Sequence, residues 1–161
     1  MRARTRAPLG FTLIELVVTL ALLGVMAMLA APLAELAVKR SKEQELRNDL
    51  REIRTALDRY KQASDLGQIP KNLGESGYPP SLAALVDGVP NARDPNGRKI
   101  YFLRRIPRDP FAKDESVSPA DTWGKRSYDS PPTDPREGAD VYDVYSRSDQ
   151  VGLNGIAYKD W

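Results

Sequence analysis

The chain contains neither histidine nor cysteine, so any chemistry it performs falls to carboxylates, hydroxyls and the backbone. Ser-His-Asp triads, cysteine nucleophiles, structural disulfides and the usual zinc sites are excluded together. Three groups of residues remain whose types and spacing could act. Gly10-Phe11-Thr12-Leu13-Ile14-Glu15 sets a glycine, an aromatic and an acid before an apolar run. Asp140 and Asp143 are the acids that a carboxylate-based periplasmic enzyme would use. Three apart on a strand they point to opposite faces, which argues against a joint site. Residues 146–155 join hydroxyls, Asp149 and Asn154 to glycines, and such oxygens keep binding of a hard metal open.

The element that positions the first group is an apolar stretch. Residues 16–34 carry no charge and are broken only by Thr19, Gly24 and Pro32. As a helix they rise about 28 Å, close to the roughly 30 Å hydrocarbon core of a bilayer. Glu15 stands at the mouth of this run, where an acid is expensive in lipid and invites a functional reading. Arg2, Arg4 and Arg6 precede it and predict a cytoplasmic amino terminus with the carboxyl-terminal domain outside. Lys39, Arg40 and Lys42 weaken that asymmetry, with Glu35, Glu43 and Glu45 among them. A secretory signal peptide cleaved near residues 27–31 is an alternative, but its apolar region runs about 7–15 residues and does not begin with a glutamate. A plain anchor explains the length and leaves Glu15 without a reason.

The string from Gly10 to Glu15 resembles the processing site of type IV pilins and of the pseudopilins of type II secretion. The resemblance implies removal of a basic leader, residues 1–10, by a prepilin peptidase that cuts between Gly10 and Phe11, with N-methylation of Phe11. It implies assembly roles for Thr12, Glu15 and Pro32 in a filament core built by residues 11–36.

Residues 33–63 lack glycine and proline and are dense in Ala, Leu, Lys, Arg and Glu, which favour helix. Leu46, Leu50, Ile53, Leu57 and Tyr60 recur at helical spacing, an apolar stripe that predicts an amphipathic continuation over 37–63 packed against the downstream domain. The whole helix is expected from about Thr12 to Ala63, kinked or locally melted at Pro32. Most of the thirteen prolines and eleven glycines come after residue 63, so residues 64–161 predict a loop-rich periplasmic domain. Without the leader there are twenty-one basic against twenty-two acidic side chains, which lends no support to a nucleic-acid partner.

Within that domain, residues 64–78 read as a linker. Ser81 is expected to cap a short helix that Gly88 closes. Strands are expected at 126–129, 141–146 and 155–158, one antiparallel sheet laid on the 46–60 stripe. Tyr101 to Phe111 resembles the major pseudopilins, interrupted by an insert at 112–122 before Trp123-Gly124. The basic cluster Arg98, Lys99, Arg104, Arg105 and Arg108 lies among acids and reads as a mixed-charge surface. Segment 146–160 is similar to the calcium loop of major pseudopilins, which implies Ca²⁺ held by Ser146, Ser148, Asp149, Asn154 and Asp160. It has fewer acids than the family's loop, and a metal-free loop held by Asx turns is the alternative.

The expected architecture is α+β: a long amino-terminal spine helix with a small antiparallel sheet packed on its carboxyl-terminal half. The expected function is that of a major pseudopilin without catalysis of its own. It would polymerise with itself and with minor pseudopilins in the inner membrane, working with an assembly platform, its ATPase and a secretin. A type IV pilin for adhesion, motility or DNA uptake is the alternative, and the absence of a carboxyl-terminal cysteine pair counts against it.

Overall fold

The computed structural model describes residues 10–161, with backbone alone at 29–31; the leader, apart from Gly10, lies outside the described residues. Helix α1 runs from Leu13 to Asp65, within two residues of the expected span. Thr12 caps it, its Oγ1 accepting the Glu15 N–H at 3.3 Å, as an N-cap hydroxyl does for the third helical residue. Pro32 sits inside α1 and the helix continues through it, so of the kink or local melting expected there, the melting does not occur. Favourable residues on both sides hold the turn although one backbone donor is missing. Gly67 ends α1: its φ of 69° turns the chain so that Gln68 N–H donates to Ala63 O at 2.9 Å, a glycine stop of the left-handed kind.

The chain forms two compact units, one ending at Arg40 and the other comprising Ser41–Trp161. In the second, Leu46, Leu50, Ile53, Leu57 and Tyr60 are all buried, so the stripe is the floor of a core. Leu82, Leu85, Leu103, Trp123, Val144 and Tyr158 complete it. Each large apolar side chain removed from water in this way contributes about 1.5–3 kcal/mol.

Helix α2, Ala83–Asp87, buries Leu85, whose carbonyl accepts the N–H groups of Phe102 and Leu103, both at 3.0 Å. Its cap position is Leu82 and not Ser81, with no side-chain cap bond; Ser81 contributes only its carbonyl, to Ala84 N–H. Strands β1 (Val89–Pro90) and β2 (Lys99–Ile100) pair antiparallel, as do β3 (Trp123–Arg126) and β4 (Asp143–Ser146). Trp123 faces Ser146 and Lys125 faces Val144.

The three-stranded sheet is therefore corrected to two separate pairs. The strand expected at 126–129 lies three residues earlier because Asp140 captures the segment after it. Its Oδ1 accepts Ser127 O–H at 2.8 Å and Tyr128 N–H at 2.9 Å, which bends the chain away from the ladder. The closing strand at 155–158 shrinks to one bridge, Val151 with Ala157, followed by a 3₁₀ turn over Tyr158–Asp160. Tyr158 turns inward there: its ring is fully buried and stacks on Phe111 at 4.1 Å.

Candidate functional site

The amino-terminal segment opens with Gly10, where an added Cβ would meet nothing within 4 Å, followed by Phe11 at 81% exposure. Glu15 lies in the first turn of α1, where the positive end of the helix dipole favours an acid. The run beyond it is apolar on every side: Leu13, Val17, Leu20, Leu23, Val25 and Leu33 are all exposed. The Thr19 hydroxyl donates to Leu16 O at 2.9 Å, so this polar group is satisfied within the helix. By length and composition an 18-residue window here qualifies to cross a membrane, and none of it is buried. A helix apolar all round finds its partners in lipid or in other chains.

The five residues expected to hold calcium do not converge. Ser146 is fully buried and donates to Asp109 Oδ2 at 2.6 Å. Ser148 and Asp149 line a groove of about 340 Å³ that also presents Asp114, Asp121, Lys113 and Arg147. Asn154 and Asp160 line a different groove, of about 570 Å³, with Arg47, Arg51 and Arg54. Asn154 Oδ1 already accepts Ile156 N–H at 3.1 Å. Calcium takes six to eight oxygens at 2.3–2.6 Å, and among the described residues no group of three or more acids is placed to hold a metal. The donor set in this arrangement does not fit the ion.

Three side chains that sequence reasoning passed over hold this region. Buried Glu43 accepts Leu153 N–H at 2.7 Å and Tyr158 O–H at 3.0 Å. Buried Asp109 also accepts Phe111 N–H at 2.8 Å. Arg54 donates to Asp143 at 2.8 Å, to Val144 O at 3.1 Å and to Trp161 O at 2.9 Å. A signal for Glu43 existed: it lies three residues before Leu46, one step further along the 46–60 stripe.

Asp140 and Asp143 serve structure. Burial acts to raise the Asp140 carboxyl, but hydrogen bonds from Ser76, Tyr128 N–H and Ser127 together hold it below the usual carboxylate range. Asp143 pairs with Arg54 and, at 3.6 Å, with Arg126. Of the basic cluster, Arg98 pairs with Asp94 at 3.3 Å. Arg108 donates to Val117 O at 2.7 Å and to Asp114 O, clamping the 112–122 insert. Trp123 Nε1–H donates to Pro107 O at 2.9 Å, so the chain reaches β3 in register despite the insert.

A helix that is apolar and then amphipathic, an α+β head and an opening Gly-Phe-Thr-Leu-Ile-Glu string together define a pilin-like subunit. A family profile described as "Prokaryotic N-terminal methylation motif" matches residues 6–31. Type II secretion system core protein G of Pseudomonas aeruginosa is 30% identical over 84% of this chain and 90% of its own length. The core protein G of Vibrio cholerae is 30% identical over 73% of this chain and 76% of its own. The type IV major pilin PilA of Myxococcus xanthus is 37% identical, over 53% of this chain and 42% of its own. No solved structure matches. The chain belongs to the family of type II secretion system core protein G.

Proposed function

We propose that this chain is the major subunit of a periplasmic pseudopilus that drives export of folded proteins through a type II secretion system. In this reading the prepilin peptidase cuts between Gly10 and Phe11, Phe11 is N-methylated, and the exposed apolar part of α1 passes from the inner membrane into the core of a homopolymer. Minor pseudopilins, an inner-membrane platform with its ATPase, and a secretin are the partners. The chain performs no catalysis of its own. The observation that carries this reading is a processing-type motif opening directly onto the first stretch of α1, up to Arg40, whose described apolar side chains are all exposed.

Gly10 leaves room at the scissile bond, where a β-branched side chain would crowd the peptidase. Mass spectrometry of membrane-extracted protein is expected to show loss of residues 1–10 and a methylated Phe11, and Gly10→Val is expected to leave the precursor intact. A mature terminus near Ala31 would overturn the reading. Deleting the gene is expected to stop secretion of folded proteins. Loss of surface filaments with secretion untouched would favour the pilus, the reading that the PilA likeness supports.

A further inference from the structure

We infer that the loop over residues 146–161 is held by a carboxylate staple, with Glu43 of α1 receiving Leu153 N–H and Tyr158 O–H, and that its folding needs no calcium. This goes beyond the pseudopilus reading and does not depend on it.

Both bonds end on one oxygen, Glu43 Oε1, from donors five residues apart in the loop. Gly152 N–H donates to Ile156 O at 2.8 Å, closing a turn that contains Leu153, so one carboxylate grips that turn and Tyr158 just beyond it. Two hydrogen bonds converge on this one buried oxygen, and a buried polar group left without such partners is costly. Burial first, and the Glu43 bond next, push the Tyr158 phenol up to about 12, which keeps it a donor through neutral pH. The loop is also tied at its two ends: Ser146 to Asp109, and Trp161 O to Arg54.

Chemistry on both flanking grooves opposes a divalent ion. Lys113 and Arg147 share the first with Asp109, Asp114, Asp121 and Asp149. Of these acids, Asp109 is held by Ser146 and Phe111 N–H, Asp114 by Ser116, and Asp121 by Ser118 and Lys125. Three arginines share the second with Asp58 and Asp160. A cation entering the first groove finds most of its carboxylate oxygens already bonded, and one entering the second meets three arginines. A carboxylate carried by the spine helix thus ties the loop to the core.

The test uses the full chain in detergent. Melting is followed in saturating calcium and in EGTA, together with hydrogen exchange at the Leu153 amide. Wild type is expected to melt within about 1 °C of itself in the two buffers, and Asp149→Ala to behave likewise. Glu43→Ala is expected to melt about 5 °C or more lower, with the Leu153 amide exchanging at least about tenfold faster. Glu43→Gln keeps an acceptor oxygen and is expected to recover most of both losses. Tyr158→Phe removes one donor without opening a cavity and covers the case in which Glu43→Ala fails to fold; its expected shift is about half as large. A calcium-dependent rise in wild type that Asp149→Ala erases would overturn the inference. So would a Glu43→Ala protein that melts and exchanges like wild type. Every readout belongs to the monomer, so failure of the polymer reading leaves these outcomes where they are.

Discussion

Two stretches of one helix differ in where their apolar surface goes. In α1 up to Arg40, the apolar side chains described are exposed. From Ser41 on, Leu46, Leu50, Ile53 and Leu57 are at most 2% exposed. Intrinsic propensity does not separate the two, since the first is rich in Leu and Ala and the second in Arg, Lys, Glu, Gln and Leu, all good helix formers. Patterning does: the first is apolar on all sides, whereas the second confines its apolar residues to one stripe. The stripe is satisfied inside the chain, and the all-round surface is left for other molecules. A substitution of the same size should therefore act on folding in one stretch and on assembly in the other.

The largest expected effect tests that division directly. Ile53→Ala removes a fully buried side chain and is expected to cost about 2–5 kcal/mol, lowering the melting of the Ser41–Trp161 unit by about 10 °C or more. Leu20→Ala, at 59% exposure, is expected to leave that transition where it is while weakening filament yield. Thermal unfolding followed by circular dichroism reads both, and equal destabilisation would erase the distinction.

Glu15→Leu comes next. In a lipid-like filament core a subunit's new terminal amine would attract a carboxylate at about 4 Å by roughly 4 kcal/mol at an effective dielectric near 20, against desolvation of similar order. Glu15 also lies in the first turn above the Thr12 cap, where an acid is worth about 0.3–1 kcal/mol to the helix. The variant is expected to be processed and inserted, and to assemble about tenfold less. Chemical cross-linking in membranes counts the polymer; wild-type yield would show that Glu15 acts only on its own helix.

Gly88→Ala tests a local demand within the folded unit. Gly88 has φ 74°, and a Cβ there would lie 2.7 Å from the exposed Tyr101 ring. The ring can swing aside but the backbone angle cannot relax, so a loss of about 1–2 kcal/mol is expected. Denaturant unfolding reads it, and Tyr101→Ala is expected to restore little.

The smallest effect is with pH. Burial first, then Glu45, Glu52 and Asp109, raise Asp49 from 3.8 to about 6. Between roughly pH 4 and 6 the folded state then binds more protons than the unfolded one, so this group's contribution falls as pH rises through that window. Asp49 is half-exposed, which limits the effect to under about 1 kcal/mol. Asp49→Asn is expected to flatten the stability profile over that range, and an unchanged slope would assign it to other acids.

The spine was legible because long periodic patterns integrate many weak preferences. Leu46 to Tyr60 announced a buried face, and that face is the core's floor. The sheet was less legible, since its strands are four residues or fewer and single side chains decide where they stop. Asp140 bends the chain after Arg126, and burial of Tyr158 removes the closing strand. At the loop, matching one strand of residues to a calcium pattern could not reveal that its oxygens face two different grooves. Its place on the stripe marked Glu43 for burial, but its partner Leu153 lies 110 residues away, a separation over which spacing carries no signal. Arg54 was hidden for the same reason: its partners lie around residues 143–161.

The two tryptophans have a consequence for spectroscopy. Trp123 is fully shielded within the core, while Trp161 is partly open and lies under the Arg47 guanidinium at 4.4 Å. Their emission should therefore split into a blue component deaf to iodide and a redder one that iodide quenches. Replacing Trp123 with phenylalanine would leave one fluorophore reporting on the end of the chain beside Tyr158, and replacing Trp161 would leave one reporting on the interior. With no chemical label, light alone could then tell release of the loop from melting of the whole unit.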